Sequence, residues 1–294
     1  MAQPKTKSAS PSLPAWLRRT VSFLTGRGRM VSLGILLGGV FAAGWYLVWR
    51  EVKGRVLSSR DYLVGPQDVE ITPLPEWIHT DIRAEVFRNA SLDKPLSLMD
   101  DGLAERIRTA FSLHPWIAKV RRVSKHHPAR VKVELEYRRP VLMVEMPGGL
   151  LPVDAQGVLL PGGDFSPVEK SRFPRLAGVE TAPLGTAGEC WGDARVVGAA
   201  EIAAAIGPAW QELKLTCIVP SAVSAAPEDF IYTLFTQGGT RIVWGRAPGT
   251  KAPGELPPNE KIARLKQYAT AHGTLDGRNG PQEFDLRTLR ISSR

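Results

Sequence analysis

The sequence predicts an α+β protein that follows a single membrane-spanning helix. Three observations indicate this class. Residues 30–49 form an unbroken uncharged stretch, residues 56–137 have the pattern strand, helix, helix, strand, strand, and strands dominate after that point. We therefore expect a basic tail at 1–29, a transmembrane helix at 30–49, a first folded domain at 56–137, and a mostly antiparallel β-domain with packed helices at 138–294.

The uncharged stretch is long enough to cross a bilayer. A helix rises 1.5 Å per residue, so about 20 residues span the ~30 Å hydrocarbon core. Basic residues and no acidic ones precede the stretch: Lys5, Lys7, Arg18, Arg19, Arg27 and Arg29. The positive-inside rule then places the tail in the cytoplasm and the chain after Arg50 outside. A cleavable signal peptide is disfavoured because its apolar core is shorter and is followed by small residues, whereas Trp49-Arg50-Glu51 follows here.

Composition argues against several functional classes. Without the six basic residues of the tail, 32 Lys and Arg remain beside 29 Asp and Glu, so a nucleic-acid-binding surface is not expected. Cys190 and Cys217 are the only cysteines. A disulfide suits the compartment, but sequence spacing leaves the pairing open. No Cys/His cluster has metal-ligand spacing, so we expect neither metal nor cofactor.

The first folded domain should begin with a strand and end with a hairpin. Val69 and Ile71 suit the first strand, and helices are predicted after Asp81 and Leu98. The clearest strand covers residues 131–138, where apolar and charged residues alternate, so one face should be buried and the other wet.

Positive charge is concentrated on the hairpin that contains this strand: Lys119, Arg121, Arg122, Lys125, His126, His127 and Arg130. Two interpretations stay open. The hairpin docks an acidic partner, an anionic wall polymer or lipid, or it is simply a solvated face.

The β-domain should contain strands interrupted by two long helices. Strands are predicted at 141–145 and 213–219, and hairpins at 150–160 and 230–244. Helices are predicted at 193–206 and at Pro258–His272, the latter ended by Gly273. A final strand is predicted at 283–291.

Several short motifs follow one another along the outer region: Pro115-Trp116-Ile117-Ala118-Lys119-Val120, Glu136-Tyr137-Arg138-Arg139-Pro140-Val141, Phe173-Pro174-Arg175-Leu176, Gly239-Thr240-Arg241-Ile242-Val243-Trp244-Gly245-Arg246, Lys261-Ile262-Ala263-Arg264-Leu265 and Phe284-Asp285-Leu286-Arg287. With the single anchor and short basic tail, they resemble the FtsQ/DivIB family of bacterial cell-division proteins.

This resemblance implies a fold and a role. Residues 56–137 would be a POTRA domain with the order β-α-α-β-β. The protein would be a non-catalytic bitopic scaffold of the divisome in the cell inner membrane, concentrated at the septum. It would bind FtsB-like and FtsL-like bitopic proteins and other divisome membrane proteins, and would need no cofactor or small-molecule substrate.

The resemblance also places the partner-binding residues on the last strand: Phe284, Asp285, Leu286, Arg287, Thr288 and Leu289. A terminal edge strand leaves N–H and C=O groups unpaired, so a partner segment can add to the sheet. The planar guanidinium of Arg287 could pair with a partner carboxylate. Thr288 stands where the family commonly has an aromatic residue.

Two alternative functions remain open. Lys214-Leu215-Thr216-Cys217 resembles the end of the sortase motif, with His114, His126 or His127 as the base for a Cys217 nucleophile. The other alternative is a POTRA-bearing secretion component, although such proteins usually carry several POTRA units or a long barrel.

Overall fold

The protein is described by a computed structural model over residues 29–57, 59–92, 94–222, 229–250, 254–277 and 280–287. The fold is α+β, and the chain divides into two compact units, Met1–Leu63 and Val64–Arg294. The helices are α1 (Arg29–Leu57), α2 (Ile82–Asn89), α3 (Leu103–Ser112), α4 (Pro167–Lys170), α5 (Ala194–Ile206), α6 (Ala209–Glu212) and α7 (Pro258–His272). The strands are β1 (Leu63–Val64), β2 (Val69–Ile71), β3 (Leu96–Ser97), β4 (Ile117–His126), β5 (Arg130–Tyr137), β6 (Pro140–Met146), β7 (Gly149–Asp154), β8 (Arg175–Leu176), β9 (Leu215–Ala222), β10 (Phe230–Thr236), β11 (Arg241–Gly245) and β12 (Glu283–Asp285).

Helix α1 contains the uncharged stretch and extends beyond it. Its segment Leu33–Lys53 has a mean hydropathy of 1.4 and is long and apolar enough to cross a membrane. The helix is longer than the predicted 30–49 because Glu51 and Lys53 continue it without a breaker. Apart from Arg29, the predicted tail at 1–29 lies outside the described residues.

The second unit begins with a three-stranded sheet backed by two helices. Its strand order is β2-β5-β4, with β2 parallel and β4 antiparallel to β5. Asp81 starts α2, because its carboxylate accepts a 3.1 Å hydrogen bond from the N–H of Ala84. The alternation predicted for β5 is confirmed, since Val131 and Val133 are fully buried between charged neighbours.

A mixed seven-stranded sheet forms the rest of the second unit. Its order is β12-β11-β10-β9-β8-β6-β7. The pairs β6–β7, β9–β10 and β10–β11 are antiparallel, whereas β6–β8, β8–β9 and β11–β12 are parallel. The core joins this sheet to α5 and α7 and includes the buried rings of Trp191, Trp210 and Trp244.

Both long helices predicted in this region are found. Helix α7 has the predicted bounds and ends at Gly273, whose φ of 78° is left-handed. The helix predicted at 193–206 is α5, and the carboxylate of Asp193 caps it by accepting a hydrogen bond from the N–H of Arg195.

The predicted 150–160 hairpin forms: Val153 and Leu159 make an antiparallel bridge across its turn. The N–H of Asp154 donates to the carbonyl of Val158 at 3.0 Å, and the N–H of Leu160 donates to the carbonyl of Pro152 at 2.9 Å. On its other side, β7 pairs with β6.

Candidate functional site

The predicted last strand lies at the edge of the seven-stranded sheet. On one side β12 pairs in parallel with β11, in the register Arg241↔Glu283, Ile242↔Phe284 and Val243↔Asp285. Among the described residues, no strand pairs with its other side. The strand covers 283–285, and the described residues Leu286 and Arg287 follow it outside the strand; residues 288–291 of the predicted strand lie outside the described residues.

The ladder determines which amide groups face outward. The N–H of Arg241 donates to the carbonyl oxygen of Gln282 at 2.8 Å, and the N–H of Leu286 donates to the carbonyl of Val243 at 3.0 Å. In a parallel ladder, alternate residues make both of their backbone hydrogen bonds to the same neighbour. The N–H and C=O groups of Glu283 and Asp285 therefore point away from β11, toward the open edge.

Side chains of the strand divide between the core and the surface. Phe284 and Leu286 are 2% and 1% exposed, and the Phe284 ring packs edge-on against Tyr268 of α7 at 4.7 Å between centroids. Burial of these two side chains leaves them unavailable to a partner. At this edge, only backbone groups and the side chains of Glu283, Asp285 and Arg287 are accessible.

Arg287 already has a carboxylate partner. Its Nη2 lies 2.6 Å from Oδ2 of Asp285, and its Nε donates to the same carboxylate at 3.0 and 3.2 Å. This hydrogen bonding lowers the pKa of Asp285 below its usual range, so the pair is ionised at neutral pH. A partner carboxylate could reach Arg287 only by competing with Asp285.

A buried lysine fixes the neighbouring end of β11. Lys261 of α7 is 2% exposed, and its Nζ donates to the carbonyl oxygen of Trp244 at 2.7 Å. The same Nζ lies 3.6 Å from Oε1 of Glu255, whose carboxylate accepts the N–H of Arg246 at 3.0 Å. Burial lowers the pKa of Lys261, while Glu255 and Asp285 oppose that shift. We call Trp244, Glu255 and Lys261 the lysine clip.

The sequence carried a weak signal for this clip. Lys261 precedes Leu265 by four residues, which places both on one helix face. Because lysine is rarely buried, the sequence pattern assigned Ile262 and Leu265 to the core and gave Lys261 no role.

Gly245 makes room for the clip at the end of β11. Its φ is +100°, a conformation that favours glycine. A Cβ at this position would lie 1.6 Å from Oε1 of Glu255 and 3.1 Å from Cγ of Arg287. The glycine therefore allows the clip and Arg287 to approach the same backbone.

The remaining predicted site residues have different outcomes. Thr288 and Leu289 lie outside the described residues. Cys190 and Cys217 are both free thiols. Over the described ranges, no group of three or more His, Cys, Asp or Glu side chains is placed to hold a metal ion.

Cys217 has the surroundings of a structural residue. It is half-buried in β9, and burial is the main cause that raises its thiol pKa. A catalytic cysteine needs the opposite shift, toward the thiolate. His114 lies between α3 and β4 of the three-stranded sheet, with its Nε2 3.0 Å from Oε2 of Glu85. These observations argue against the sortase-like alternative.

The basic hairpin is partly neutralised by its neighbours. Arg121 pairs with Glu136 at 2.6 Å, and Arg130 lies 3.4 Å from Glu70. Lys119 and Arg122 are exposed and have no ion-pair partner among the described residues. Both interpretations of this hairpin stay open.

Comparisons with known proteins leave the identity open. No known family matches the chain, and a search of curated proteins likewise finds no match.

Proposed function

We propose that this chain is a non-catalytic, membrane-anchored scaffold of the bacterial division complex, as its resemblance to the FtsQ/DivIB family implies. In this proposal the segment from β2 to β5 serves as a POTRA domain. The seven-stranded sheet receives a partner strand on β12. FtsB-like and FtsL-like bitopic proteins are the partners, and the division septum of the cell inner membrane is the location.

The observation that carries the proposal is the open side of β12. Glu283 and Asp285 direct unpaired amide groups outward, and an added strand satisfies such groups directly. Phe284 and Leu286 tie the strand to the core, so it is held rigidly for pairing. Rigid placement lowers the entropy that association loses.

Helix α1 supports the anchoring part of the proposal. The side chains of Leu33–Lys53 are exposed along the helix, which suits a lipid environment. Trp45, Tyr46 and Trp49 cluster toward one end, where amphipathic rings favour the headgroup layer. The six basic residues before the uncharged stretch orient the N-terminus of the helix to the cytoplasm.

The test is co-purification of tagged full-length chain with the small bitopic division proteins of its host. Glu283→Pro removes one outward N–H but no hydrogen bond to β11, so it should weaken capture without unfolding the sheet. Glu283→Ala keeps that N–H and loses only an exposed ion pair with Arg241, so it should retain capture.

Two results would refute this mechanism. Equal capture by the proline and alanine variants would mean that no strand adds at β12. Uniform labelling of the envelope by a fluorescent fusion throughout the cell cycle would refute a role at the septum.

A further inference from the structure

A broad groove lies where the three-stranded sheet meets the seven-stranded sheet, within the second unit. Its main part has a volume of about 690 Å³ and runs between the ends of β5 and β7 and the helices α5 and α6. A second part of about 480 Å³ continues past Phe173 and Trp210 to the start of β9. Strands β10 and β11 lie between β9 and β12 in the sheet order.

Positive charge lines the groove without compensation. Arg172, Arg175 and Lys214 are exposed on its wall, and none has an ion-pair partner among the described residues. Arg139 adds a fourth cation and lies 5.9 Å from the ring centroid of Trp77, again with no carboxylate partner in the part of the chain described. We call these four residues the cationic wall.

The acidic residues of the groove are already engaged. Asp154 is 2% exposed, and its Oδ2 lies 2.6 Å from Nη1 of Arg138. Glu136 pairs with Arg121 at 2.6 Å. Since both carboxylates are neutralised, the field inside the groove comes from the cationic wall, and a concave surface concentrates such a field.

The floor of the groove is apolar. Trp210 and Pro174 are buried there, while Phe173, Tyr137 and Val141 are partly exposed. Apolar side chains of a ligand could pack on this floor while its carboxylates face the wall. A peptide carries both kinds of group, whereas an anionic glycan lacks apolar side chains.

We propose that the groove binds an extended acidic segment of another protein, with carboxylates on the cationic wall and apolar side chains on the Phe173–Trp210 floor. This site is independent of strand addition at β12. It gives the molecule a second docking surface, which recognises the carboxylates and apolar side chains of a partner instead of its backbone amides.

The test uses the full chain in phosphatidylcholine nanodiscs and a fluorescein-labelled peptide with the repeat Glu-Pro-Glu-Tyr. Proline makes this peptide a poor strand former, and the Glu283→Pro variant checks that its binding does not report on β12. Fluorescence anisotropy should show binding that weakens with salt. The triple variant Arg172→Glu, Arg175→Glu and Lys214→Glu should weaken binding by about tenfold or more, because three attractive contacts become repulsive.

The matched control reverses three other exposed cations outside the groove and the basic hairpin, Arg60→Glu, Arg88→Glu and Lys94→Glu, which likewise have no ion-pair partner within the described ranges. It changes the net charge equally and should leave affinity within about threefold. Glu283→Pro should bind the peptide as the parent chain does.

Any of three outcomes would overturn the proposal. The first is absence of binding, and the second is an equal loss in the wall variant and the control, which would indicate non-specific attraction. The third is equally tight, wall-dependent binding of polygalacturonate, which would mean that the groove takes an anionic glycan. Circular dichroism of each variant checks that the fold is retained.

Discussion

Nζ of Lys261 lies 2.7 Å from the carbonyl oxygen of Trp244, so a buried ammonium on α7 caps the strand next to the sheet edge. The same group lies 5.0 Å from the Trp244 ring centroid and beside the carboxylate of Glu255. The ammonium provides a hydrogen-bond donor to the carbonyl of Trp244, which follows Val243, the last residue of β11 in register with β12. Lys261 thus supports β11, the strand with which the edge strand β12 pairs.

Lys261→Met should destabilise the protein by about 3 kcal/mol. Methionine keeps the volume but leaves the Trp244 carbonyl and the largely buried Glu255 carboxylate without their cation. Urea unfolding of the full chain in detergent, followed by tryptophan fluorescence, measures the change. Lys266→Met is the control, because this exposed lysine pairs with Glu212 at the surface and should cost under about 1 kcal/mol. Equal losses would show that the clip has no special role.

Phe284→Ala should cost about 3–5 kcal/mol of folding stability, since it leaves a cavity beneath Tyr268. Thermal unfolding by near-ultraviolet circular dichroism reports the loss. Leu184→Ala should be nearly neutral because that side chain is 83% exposed. An unchanged melting temperature in Phe284→Ala would contradict the burial of this residue.

Stability should fall as the pH rises from 10 toward 12. Burial raises the pKa of Tyr137 to about 12, and its hydroxyl donates to the carbonyl of Thr72 at 2.6 Å. The unfolded state releases this proton near pH 10, so the folded state binds more protons in that window and loses stability as the pH rises.

Tyr137→Phe should make that fall less steep, although its lost hydrogen bond lowers stability at every pH. The slope is the readout, measured by urea unfolding at a series of pH values. Burial also raises the pKa of Tyr232, so part of the slope should persist in the single variant. An unchanged slope would exclude Tyr137 as a contributor.

Ala43→Arg should weaken membrane insertion of α1. An arginine near the centre of a spanning helix costs about 2.5–3.5 kcal/mol on insertion scales. Carbonate extraction of membranes should then release a larger fraction of the variant than of the parent chain. Ala43→Leu should stay in the membrane fraction. Release of the parent chain itself would argue against an anchor.

Local patterns predicted much of the fold. The alternation around Val131 and Val133 identified β5, and Asp193 and Gly273 marked the start of α5 and the end of α7. These signals depend on side-chain period and capping, which act within a few residues.

Long-range pairing was not predictable in the same way. Strand β8 has two residues, too few to show a period, yet it joins β6 to β9 in the middle of the sheet. The parallel partner of β12 lies some 40 residues earlier in the chain, and nothing local specifies that direction. At the site, the edge position of β12 agrees with the prediction. No local sequence pattern predicted the Asp285–Arg287 pair or the burial of Lys261.

The shortness of β12 limits how tightly anything can be held there. Its described part presents outward amides only at Glu283 and Asp285, and each hydrogen bond contributes about 0.5–1.5 kcal/mol net. Their sum is below the roughly 8 kcal/mol that a micromolar complex requires. Contacts elsewhere must supply the difference, and an association divided in this way can dissociate stepwise and exchange its members.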